Sequence, residues 1–200
     1  SAQDVFSNGN EVAEKDIDIE SIEITSVLPE LITDESYRTF RIEKSIYPVN
    51  ASSTPEWISS NPNVASVDAD GYVTIHDWGI VTITVTTSNG IMDSIELSAA
   101  LDNDLVAPEG HDALTVARRD GGAQLVNVDY TKLSDGELEI PATVTRNGLT
   151  LNLISATFDN DMDSKVTTVT IADSDLPLNI IGTIKGTGFK TLYCGRNLDW

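Results

Sequence analysis

The chain has 200 residues, 32 of them Asp or Glu against 12 Lys or Arg, for a formal net charge of -20. A surface this acidic repels nucleic acid and anionic lipid and lacks the clustered cations that replace phosphate counterions, which argues against both as partners. The single cysteine, Cys194, excludes an internal disulfide, and no apolar run approaches the roughly 20 residues of a membrane-spanning helix. Alternating Val, Ile and Thr dominate and no helical period is sustained, so the expected fold class is all-β, in one or two domains.

In chain order, residues 1–18 are acidic and contain few large apolar side chains. They read as a linker or arm, because they bury too little surface to offset the entropy of ordering. The opening Ser1-Ala2-Gln3-Asp4 is polar and acidic rather than leader-like, as expected of a mature or trimmed chain. Residues 19–100 read as a first domain of about seven strands. Ile22, Ile24 and Val27 begin it, and Pro29 interrupts the first strand. Thr39 to Ile46 alternates as a single strand, with Phe40, Ile42 and Lys44 on one face. Val64 to Val67 is a short strand. Asp70-Gly71 is a hairpin turn leading into Tyr72 to Ile75, and Asn89-Gly90 joins Ile80–Thr87 to Met92–Ala99. Residues 101–112, with Asp102-Asn103-Asp104 and Pro108-Glu109-Gly110, read as a linker.

Residues 113–200 read as a second β-rich region. Leu114, Val116, Leu125, Val126 and Val128 suggest a hairpin across Asp120-Gly121-Gly122. Further on, Val166, Val169 and Ile171 recur as Phe189, Leu192 and Cys194, an offset of 23 residues. A period between about 20 and 29 residues marks a leucine-rich solenoid, although stable stacking wants about three copies or more.

Two resemblances follow from these residues. Trp57-Ile58-Ser59-Ser60, with Val64-Ala65-Ser66-Val67-Asp68, Gly71-Tyr72-Val73 and Gly79-Ile80-Val81-Thr82-Ile83, resembles the signature of the group 2 bacterial immunoglobulin-like domain. Pro48-Val49-Asn50-Ala51 resembles the segment that precedes the family's core Trp. The resemblance implies a β-sandwich without the antibody disulfide, outside the bacterial cell, serving as a spacer or adhesive module. Gly136–Val144 with Asn147-Gly148, Val166–Ile171 and Thr191–Leu198 resemble BspA-type leucine-rich repeats. The family's middle segment is degraded here to Ile154-Ser155-Ala156-Thr157-Phe158. This second resemblance implies a short or truncated solenoid over about 135–200, capped by residues 113–148.

Candidate chemistry is sparse. His76 lies beside a predicted strand and His111 in the linker, neither in a catalytic motif. Cys194 sits in an alternating run and reads as a buried small hydrophobe. Asp159-Asn160-Asp161-Met162-Asp163 spaces its acids like a calcium loop, but the EF-hand positions that need Gly and Glu hold Ser164 and Thr170, so it reads as a solvated turn. Trp57 could serve as a sugar-stacking platform, but the immunoglobulin-like resemblance implies a place in the sandwich core. Trp78, in a turn before Gly79, is expected to be partly exposed, and Trp200 fully so. Arg118-Arg119 reads as pairing with local carboxylates. No catalytic, cofactor-binding or metal site is expected.

Together these readings give the expectation of a non-enzymatic bacterial cell-surface protein without cofactors. An immunoglobulin-like spacer would present an adhesion or protein-binding module. The alternative is a carbohydrate-binding or accessory module of an exported glycan-degrading system. The expected partner is an extracellular protein or glycan, with the chain tethered to the cell surface.

Overall fold

A computed structural model describes residues 16–200. The acidic arm expected over 1–18 lies almost wholly outside the described residues. The first eight strands are β1 (Ser21–Ile24), β2 (Thr39–Arg41), β3 (Lys44–Tyr47), β4 (Glu56–Ser59), β5 (Ala65–Val67), β6 (Tyr72–Ile75), β7 (Gly79–Thr86) and β8 (Met92–Ala99). They form three antiparallel groups, ordered β4-β7-β8, β2-β6-β5 and β1-β3.

The pleat explains the sandwich. Along β7 the side chains of Val81, Ile83 and Val85 are buried, while Thr82, Thr84 and Thr86 face outward. Trp57 pairs with Val85 and completes a core that includes Ile19, Ile42, Val73, Ile75 and Leu97. Each fully buried aliphatic side chain contributes roughly 1.5–3 kcal/mol. The Asp70-Gly71 turn forms as expected, with Gly71 at φ 86° and the Asp68 carboxylate accepting the N–H groups of Asp70 and Tyr72. A Cβ on Gly71 would come within 3.0 Å of the Ile42 carbonyl and 3.2 Å of the Trp57 ring, so glycine is also required for packing.

The single strand expected from Thr39 to Ile46 is in fact two. β2 pairs with β6, whereas β3 pairs with β1. The break falls at Ile42, whose N–H donates to Gly71 and whose side chain is buried. The alternation survives the change of sheet because Ile42 packs into the core at the crossing, so sequence period alone does not reveal it.

The remaining strands are β9 (Leu105–Val106), β10 (Leu114–Arg119), β11 (Gly122–Val128), β12 (Glu137–Ile140), β13 (Thr143–Arg146), β14 (Leu149–Phe158), β15 (Thr168–Ile171), β16 (Leu178–Gly182), β17 (Thr191–Cys194) and β18 (Leu198–Asp199). β9, β10 and β11 are antiparallel, and the hairpin across Asp120-Gly121-Gly122 forms. From there the chain alternates between two sheets with parallel pairing. One runs β11-β14-β16-β18 and the other β12-β15-β17. β13 is an antiparallel hairpin partner of β14, turned at Asn147-Gly148, where both residues have positive φ. Val169 pairs with Leu192 and Ile171 with Cys194, so the 23-residue offset in the sequence is the parallel register of β15 and β17. Leu125, Ala156 and Ile180 from the first sheet, and Leu138, Ile140, Val169 and Ile171 from the second, belong to one buried core.

Cys194 departs from its expected burial and is exposed. In the same rows Leu138, Val169, Ile140 and Ile171 are buried, but Leu192 is 41% exposed. β12 and β17 are the two edges of this sheet, and the core reaches β12 but not β17, where the corresponding side chains lie at the rim.

Residues 101–112 do more than connect. Leu101 is buried in the first core, Val106 in the second, and Leu105–Val106 pairs with β10. The helical content among the described residues is two single 3-10 turns, Glu35–Tyr37 and Tyr130–Lys132. No helix there is long and apolar enough to cross a membrane.

Candidate functional site

Aromatic and charged side chains converge where the two cores meet. Trp78, carried in the turn between β6 and β7, is 2% exposed and belongs to the core of the second domain with Val106, Val116 and Val144. This overturns the expectation of partial exposure. A Trp before Gly in a turn looks like a surface residue from sequence, and only the tertiary fold supplies its pocket.

Polar contacts lock the insertion. The Arg146 Nε donates to both carboxylate oxygens of Asp77 at 2.9 and 3.0 Å, and its Nη1 donates to the Ala107 carbonyl at 2.9 Å. The Asp77 carboxylate, as hydrogen-bond acceptor, pushes the guanidinium pKa up against the opposing effect of burial. Asn147 donates from its side chain to the Trp78 carbonyl at 2.7 Å, and its own carbonyl accepts from Ile80 N–H at 3.0 Å. Gly79 sits at φ 155°, where a Cβ would lie 2.6 Å from the Asn147 Cβ. On another side of the junction Arg38 joins Glu35 and Asp104, bonds that raise its pKa, Asp104 contributing more than Glu35. Arg118 bonds Asp102 and Asp120 at 2.9 Å. The basic pair thus divides, since Arg119 donates to the Arg118 carbonyl.

The other candidates do not converge. His76 contacts the Ser66 hydroxyl at 2.7 Å on an exposed strand end. His111 lies beside a groove of ≈ 360 Å³ lined by Gly110–Leu114, Lys132–Ser134, Glu137 and Glu139. Asp159, Asn160 and Asp161 line a second groove of ≈ 240 Å³ with Asn127, Tyr130 and Thr157. Asp161 pairs with Lys185 at 2.9 Å, and Met162 within the acidic run is buried. Burial, and then the charge of Asp163, push the Tyr130 phenol pKa up. Among the described residues no group of three or more His, Cys, Asp or Glu is placed to hold a metal ion. Trp57 lies in the first core with the Lys44 ammonium 5.2 Å from its ring, and Trp200 is 75% exposed.

Sequence reading passed over Arg196. It is buried, and its guanidinium donates to the carbonyls of Leu153 at 2.7 Å and Pro141 at 3.0 Å, with no carboxylate partner among the described residues. Burial lowers its pKa. It ties the turn after β17 to the strands before it.

These elements define an all-β protein with two buried cores that meet at a shared junction. Residues 52–89 match the family model of the intimin immunoglobulin-like domain. That segment holds β4 to β7 of the first sandwich, which is thus similar over this stretch to a bacterial immunoglobulin-like domain. No curated protein sequence matches the chain. Among solved structures it is similar to an EHEC O157:H7 intimin mutant, at 25% identity over 40% of this chain and 47% of that one, TM-score 0.33. It is also similar to intimin in an intimin–Tir90 complex, at 21% identity over 45% of this chain and 52% of that one, TM-score 0.33. The match thus spans about half the length of these intimin chains.

Proposed function

We propose that this chain is an extracellular, non-enzymatic binding module of a bacterial surface protein. Its immunoglobulin-like domain holds the second domain at a fixed angle, and the second domain recognises a protein partner. The family match over residues 52–89 supports the surface setting, since intimin-type domains belong to bacterial surface adhesins. The observation that carries the reading is Trp78, a first-domain side chain completing the second domain's core. A flexible spacer has no use for such a junction, whereas a presenting arm does. The 23-residue parallel register supports reading the second domain as a degenerate leucine-rich-type array, whose stacked coils offer extended outer faces.

The test is a biolayer interferometry panel of the full chain against immobilised extracellular-matrix proteins and a glycan array. Saturable protein binding is expected. A folded chain that binds no protein, or binds only glycans, overturns the reading.

A further inference from the structure

We infer that the groove beside β12 accepts an extended, basic segment of a partner protein, added as a strand to the free edge of β12. The inference rests on the protein-binding reading above and names its site and the chemistry of the partner.

β12 is an edge strand, paired only with β15. The ladder uses the carbonyls of Gly136 and Ile140, which accept from Thr168 N–H at 3.2 Å and Ala172 N–H at 3.0 Å. Backbone groups alternate in direction along a strand, so the N–H and C=O of Glu137 and Glu139 point the opposite way. The Glu137 N–H donates to Ser134. The Glu139 N–H and the carbonyls of Glu137 and Glu139 have no partner among the described residues. Beyond this edge lies the ≈ 360 Å³ groove, walled by Gly110–Leu114 and Lys132–Ser134. That volume falls within the range of ligand clefts. An unpaired strand edge facing a groove is the geometry of recognition by strand addition, in which backbone bonds give affinity and alternate side chains give specificity.

Charge selects the occupant. Glu137 and Glu139 are exposed, point to the same face of β12, and form no ion pair among the described residues. Asp112 stands across the groove and is likewise without an ion pair. Lys132 turns to the Asp112 carbonyl at 3.1 Å and toward Asp129 at 3.8 Å. Lys or Arg at alternate positions of an added strand matches the spacing of Glu137 and Glu139. Small apolar residues between them would face Ala113, Leu114 and Leu133. A second copy of this chain, at a net charge of -20, is repelled.

The experiment uses the ¹⁵N-labelled full chain and two capped hexapeptides, one alternating Lys with Val and one alternating Glu with Val. The expected result is saturable shift changes at Glu137–Glu139 and Gly110–Leu114 with the lysine peptide alone, weakening as salt is raised. Glu139→Pro removes the free N–H from a position that makes no ladder bond, so the strand tolerates it. It is expected to weaken binding by about tenfold or more, and Glu139→Gln by less. The double variant Asp112→Lys, Glu137→Lys, which alters exposed side chains only, is expected to abolish the lysine-peptide response. Absence of saturable shifts, equal response to both peptides, shifts on another surface, or unchanged binding by both the Pro and the charge-reversed variants would each overturn the inference. If this groove fails while the chain still captures a protein in the panel, only the site is wrong. If both fail, the protein-binding reading falls as well.

Discussion

Replacing Trp78 by Ala should damage a domain to which Trp78 does not belong in sequence. The side chain is 2% exposed among Val106, Val116 and Val144, so nearly all of its surface is removed from water on folding. A Trp buries about 150–250 Å², which at about 25 cal/mol per Å² gives roughly 4–6 kcal/mol as an upper bound. Core truncations of this size cost about 3–5 kcal/mol, and that is the expected loss. The indole N–H is buried without a hydrogen-bond partner. Trp78→Phe removes that unpaired donor along with part of the ring, so its expected cost is smaller, about 1–2 kcal/mol. The assay is native-state hydrogen exchange read at the amides of β10 and β13 in the second domain and of β4 and β7 in the first. Loss of protection in β10 and β13 is predicted for Trp78→Ala. A destabilisation below about 1 kcal/mol, or one confined to the first domain's strands, would refute the shared core.

Arg146→Ala should lower urea-unfolding stability by about 1–2 kcal/mol, since the Asp77 pair is only partly buried, and Arg146→Lys should recover only part of this because it lacks the planar fork. Gly79→Ala should cost about 1–3 kcal/mol by driving a Cβ against Asn147, read from the same transition. Asp129, whose carboxylate accepts from the Thr131 hydroxyl and N–H, is held below the ordinary carboxylate range by those bonds. A depressed folded pKa means that its contribution is present above the unfolded value near about 4 and is lost as pH falls through the folded one. An NMR titration of the Asp129 side chain should show this midpoint displaced downward. Cys194 should react with a thiol reagent in the native chain without denaturant, and protection until denaturant is added would contradict its exposure.

Most of the first domain is legible from local chemistry. The Asp70-Gly71 and Asn89-Gly90 turns and the alternation of β7 each follow from nearby residues, and the core position of Trp57 follows from the family resemblance. The second domain is legible in its hairpin at Gly121-Gly122 and in the 23-residue recurrence that becomes the β15–β17 register. What escapes is decided by distant partners. Ile42 changes sheets without breaking its alternation, Trp78 finds its pocket across the junction, and Cys194 lies at the β17 edge, which the core does not reach. The open edge of β12 escapes for the same reason, since strand order is a tertiary property.

Residual dipolar couplings of the full chain in a weakly aligning medium decide whether the junction makes the two domains one presenting body. A single alignment tensor should fit the amides of β1–β8 and of β10–β17 together, in the orientation fixed by Trp78 and the Asp77–Arg146 pair. Two tensors of different magnitude would mean that the domains reorient independently, and the second domain would not be held at a fixed angle.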